Sequence, residues 1–118
     1  MLDKIIDQLK TGTIKNVVAF GAASLPAPPY IVVKPEKDIA GRGRGFRIIV
    51  HMLPGQQIFL EDYIFTTISQ LLNGFAHATR HGNYNQLLNE YDYDDIVISN
   101  DDGTISMERR YLMPSLIF

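Results

Sequence analysis

"DIVISNDDGTISMERRYLMP", residues 95–114, decides the fold. Ile96 and Ile98 take every second position up to Asn100, Asp102-Gly103 supplies a tight turn, and Ile105, Met107 and Arg109 resume the period. A two-residue period sends side chains alternately to opposite faces, so this stretch predicts a β-hairpin. The Arg109-Arg110 pair reads as a strand end with one exposed side chain. Working back toward the N-terminus, "GFRIIVHML" (45–53) alternates Phe46, Ile48, Val50 and Met52 with Arg47, Ile49, His51 and Leu53. Apolar residues in both sets predict a strand largely buried on both faces. "YIVVKPE" (30–36) reads as another strand, closed by Pro35, and "IKNVVAF" (14–20) as a first strand with Gly21 after it.

Two helices flank these strands. Leu2, Ile5, Ile6 and Leu9 recur at helical spacing, and Gly12 is placed to stop the helix. From Leu60 the apolar period lengthens again, through Ile64, Ile68, Leu71, Leu72 and Phe75. This predicts the main helix over residues 61–75, with Glu61 and Asp62 near its positive end. "SLPAPPY" (24–30) has too many prolines for a helix or a central strand, so it predicts an extended, polyproline-like approach. The polar stretch "AHATRHGNYNQLLNEY" (76–91) predicts at most a short helical turn around Leu87 and Leu88. The fold class expected is α+β: a single mostly antiparallel sheet of about four to five strands packed with two main helices. Residues 1–118 read as a single domain, with a flexible Gly/Arg loop at 37–45 inside it.

Composition agrees with a globular chain, 46% hydrophobic and 20% charged over 118 residues. With no cysteine, disulfides, thiolate zinc sites and cysteine nucleophiles are excluded. Apolar runs are too short to span a membrane, and MLDKIIDQLK, with acids among its apolar positions, does not resemble a signal peptide. The net charge of −2 conceals a split. Residues 1–50 carry eight Lys/Arg against four Asp/Glu, a balance of +4, and residues 51–118 carry three against nine, a balance of −6. If the halves face different directions, head-to-tail association of copies is favoured.

No motif carries catalytic chemistry. The glycines of "GRGRG" (41–45) precede a strand and lack the Lys-Ser/Thr pair of a phosphate loop, and one copy without aromatics makes no RGG-type nucleic-acid segment. A mobile basic connection explains it, one that brushes passing DNA without specific binding. His77 and His81 stand four apart, as two ligands on one helix face must, but Ala78 occupies the position of the zinc-protease glutamate. His51 inside an apolar strand reads as a core or sheet-face histidine with a hydrogen-bond partner. Asp92, Asp94 and Asp95 read as a solvated strand entrance, with no matching base or nucleophile, and turn formation explains Asp101 and Asp102. The chain is therefore expected to be no enzyme and to need no cofactor or metal.

The layout as a whole resembles the small neck and tail-completion proteins of tailed bacteriophages, especially the tail terminator (minor tail protein U-like) family. The resemblance lies in a short N-terminal helix, the approach "PAPPYIVVKPE", the loop and strand "GRGRGFRIIVHM", the amphipathic "EDYIFTTISQLLNGF" and the terminal hairpin "DIVISNDDGTISMERRY". It covers residues 2–114 and is one of order rather than of signature residues. It implies a structural virion protein of the tail or neck, made in the host cytoplasm. Such proteins form a ring, typically a hexamer, that caps the tail tube, ends its polymerisation and joins tail to head. The partners implied are copies of itself, the tail tube protein and a head–tail connector or head-closure protein. Arg42, Arg44 and Arg47 are then candidates for a lumen-facing or inter-subunit loop touching DNA or an acidic neighbour. A connector or head-closure protein, or a small nucleic-acid-binding protein, are the alternative expectations, and net acidity counts against the last.

Overall fold

The computed structural model describes residues 2–37, 45–56, 59, 63–72, 75–78, 85–90, 96–101 and 103–112. The class is α+β. In chain order come α1 (Leu2–Leu9), β1 (Val17–Ala19), β2 (Tyr30–Glu36) and β3 (Gly45–Met52). A π-helix, π1 (Tyr63–Ile68), follows and runs on as α2 (Ser69–Leu72). Four strands complete the described chain: β4 (Phe75–Ala78), β5 (Asn85–Glu90), β6 (Ile96–Ser99) and β7 (Ile105–Leu112).

The heart of the sheet is the four-strand run β1-β2-β3-β7, which β5 and β4 extend. Only the β1–β2 pair is parallel among the described pairings. Because β1 and β2 run the same way, the chain must return between them, and the proline stretch makes that return. It bends rather than running extended as expected, and its Pro28–Pro29 bond is cis. The second edge of β7 is shared. β6 pairs with residues 105–108, and β5 pairs its Asn89 and Glu90 with Leu112 and Tyr111. From Glu90 to Ile96 the chain has five intervening residues where β7 has two, Arg109 and Arg110.

The β6–β7 hairpin forms as the sequence predicts. Asn100 and Thr104 close a loop in which Gly103 takes φ +86°, and the Gly103 N–H donates to the Asn100 carbonyl at 3.1 Å. That backbone conformation strains any residue with a Cβ, which is why glycine stands there. The Asn100 side chain adds bonds from Nδ2 to Thr104 Oγ1 and Ser106 Oγ at 3.0 and 3.4 Å.

One face of the sheet carries the core. Ile31 and Val33 of β2, Phe46, Ile48, Val50 and Met52 of β3, and Ile105, Met107 and Tyr111 of β7 point there. Ile5 and Leu9 of α1, with Tyr63, Ile68 and Leu72 of the second helix, cover them. Full burial of each such aliphatic side chain contributes about 1.5–3 kcal/mol. The two helices are tied at the end of α1. Gln8 Nε2 donates to the Leu71 carbonyl at 3.2 Å, and the Ile14 N–H donates to the Tyr63 hydroxyl at 3.1 Å. A methyl group on Gly12 would lie 2.6 Å from that hydroxyl, so the helix stop is also a close approach that only glycine permits.

Several expectations are corrected. The second helix does not reach Phe75: it ends at Leu72, and Phe75 opens β4. Leu87 and Leu88 lie in β5 rather than in a helical turn. β3 is fully buried on one face only, since Arg47, Ile49 and His51 are half-buried. Arg109 is buried at 3% exposure, on the same face as Met107 and Tyr111. Residues 75–90, read as polar connection, contribute β4 and β5, which extend the central strands of the sheet.

Candidate interaction surface

Strand alternation puts Tyr30, Val32, Lys34 and Glu36 of β2 on the face away from the helices. The register aligns them there with Arg47, Ile49 and His51 of β3 and with Ser106, Glu108 and Arg110 of β7. This second face divides along the strands. At the end nearer the hairpin loop, Tyr30 and His51 are direct cross-strand partners and their rings stack, with centroids 4.6 Å apart. His51 is thus a sheet-face histidine, as expected.

At the other end three cations stand in a row across adjacent strands, since Arg47 pairs with Lys34 on one side and Arg110 on the other. Like charges side by side are unfavourable, and two glutamates relieve them. Arg47 Nη1 donates to Glu108 Oε2 at 3.3 Å. Arg47 Nε lies 2.8 Å from Glu36 Oε1, an ion-pair contact rather than an aligned hydrogen bond. Lys34 reaches outward instead, its Nζ 4.8 Å from the centre of the Phe20 ring. Among the three predicted site residues, Arg47 is therefore held by two carboxylates and partly withdrawn from any ligand. Arg42 and Arg44 lie outside the described residues, as do His81, Asp92, Asp94 and Asp95.

His77 lies in β4, opposite Gln86, so the helical spacing that suggested a shared face with His81 does not apply. Among the described residues no group of three or more His, Asp or Glu gathers as a metal-binding set, and no helix is long and apolar enough to cross a membrane. Burial pushes the Tyr63 phenol pKa above the ordinary 10.0, against smaller downward pulls from backbone bonds of Ile14 and Thr13. That tyrosine joins the second helix to the segment leading into β1.

The described residues that do present unspent chemistry are apolar and exposed. Phe20, Leu25, Leu53 and Phe59 show 60%, 56%, 48% and 47% of their surface. Sequence reasoning missed all four. Phe20 closes a β-branched run that looked like core, and its exposure follows only from standing past the last paired residue of a short edge strand. No family model matches the chain, and neither a curated protein nor a solved structure does.

Proposed function

We propose that this protein is a non-enzymatic structural subunit that works as a ring of copies, of the kind that caps a phage tail tube and joins it to the head. The observation that carries this reading is the order of the strands. The chain up to Met52 supplies α1, β1, β2 and β3, and the chain from Phe75 supplies β7, β6, β5 and β4 on the other side of the β3–β7 seam. The strands of the +4 half of the sequence thus stand on one side of that seam and those of the −6 half on the other. A subunit basic on one side and acidic on the other attracts its own copies side by side, and such heterologous contacts close into rings when the rotation allows.

Phe20, Leu25, Leu53 and Phe59 give that association apolar area to bury. The β2–β3 connection, residues 37–44, carries Lys37, Arg42 and Arg44 and suits contact with an acidic neighbour or with passing DNA. Sedimentation across a concentration series, with negative-stain microscopy on isolated tail tubes, tests the reading. The expected result is weak association alone and rings at tube ends; monomers at every concentration with no tube binding would sink it.

A further inference from the structure

The described chain from Lys10 to Lys37 is basic, although the protein as a whole is acidic. It carries four lysines, Lys10, Lys15, Lys34 and Lys37, against one carboxylate, Glu36, a balance of +3. Lys10, Lys15 and Lys37 are exposed, and Lys34 is half-buried. Lys15 Nζ donates to the Lys10 carbonyl at 3.1 Å, which draws its charge toward the end of α1. Lys34 is placed differently. It stands at the outer end of the cation row that Arg47 and Arg110 continue, and the two glutamates of that face turn to Arg47.

Phe20 completes the arrangement. Its N–H donates to the Val33 carbonyl at 2.9 Å, which sets the residue beside Lys34 at the corner of the sheet. The Lys34 ammonium lies 4.8 Å from the ring centroid, and 60% of Phe20 is open to water. An exposed ring gives a base a surface to stack on, and an ammonium beside it gives a phosphate its countercharge. An acidic peptide would use the lysines and leave the flat ring unmatched. We infer that the Phe20–Lys34 corner binds single-stranded nucleic acid, with a base on the ring and backbone phosphates on Lys34 and the exposed lysines around it. A duplex is excluded from the ring because its bases are already stacked on one another. Ring and ammonium read no base edge, so binding is indifferent to sequence. The inference goes beyond the ring reading and does not depend on it.

Fluorescence anisotropy of a labelled oligodeoxythymidylate on the full chain tests it, with polyglutamate of similar length as the second polyanion. The strand should bind and, for about two to three phosphate contacts, weaken about tenfold between about 50 and about 200 mM salt. Phe20→Ala should weaken binding about tenfold with the salt slope unchanged. Lys34→Gln should lower that slope by about 0.7. Both residues lie outside the buried core, and circular dichroism checks each fold; should one variant not fold, the other decides. An oligonucleotide that does not bind, or that binds the folded variants as it binds the wild type, overturns the inference. Polyglutamate bound as tightly as the oligonucleotide overturns it too, and marks the corner as a contact for acidic protein.

Discussion

Neighbouring residues on β3 live in different surroundings. Phe46, Ile48, Val50 and Met52 lie under the helices and are almost fully buried, while Arg47, Ile49 and His51 between them are half-buried on the opposite face. The first face is held by area removed from water, which is additive and large. The second is held by pairings, a ring stack and a charge bridge, each of which offsets a cost that it also creates. The covered face contributes most to the fold, and the other adds pairings around its buried Tyr30, Val32 and Ser106.

The largest test of that contrast is Ile48→Ala. It should cost about 2–5 kcal/mol in urea unfolding, because the site lies at the centre of the covered face and cannot collapse. Gly12→Ala comes next, at about 1–3 kcal/mol. Its methyl group displaces the Tyr63 hydroxyl, and with it the bond that joins α1's end to the second helix. On the second face, Arg47→Ala leaves Glu36 and Glu108 without their shared cation. These side chains are 27%, 16% and 12% exposed, so water screens part of the penalty, and the expected loss is about 1–2 kcal/mol. A result above that of Ile48→Ala would reverse the comparison between the faces.

The smallest effect is Tyr63→Phe, about 1 kcal/mol near neutral pH for the lost bond to the Ile14 N–H. Its pH dependence has a definite sign. The folded phenol holds its proton to higher pH than the unfolded chain, so its contribution is complete below pH 10.0 and declines as pH rises through the raised value. Wild-type stability should fall more steeply above pH 10.0 than that of Tyr63→Phe, as thermal unfolding in alkaline buffers will show.

The sequence signals differ in strength for physical reasons. The 96–112 hairpin, β2 and α1 are legible because period, turn residues and stops all agree there. Residues 85–90, NQLLNE, have no strand period; they are extended because β4 on one side and the end of β7 on the other supply hydrogen-bond partners. Phe75 fits a helical face by spacing, yet the helix ends at Leu72 and Phe75 opens β4. Arg47 was legible as a candidate from its place after the glycines, but not its two carboxylate partners, one of which lies 61 residues away.

The strand at the centre of the sheet, β7, follows every other described element in the chain. As the polypeptide leaves the ribosome, β3 therefore emerges with the flank that β7 will occupy still bare, and it waits for about sixty more residues to be made. Assembly on one growing chain is thus exposed to capture by a neighbouring nascent chain at that flank, and synthesis rate, rather than final stability, sets how often it goes astray.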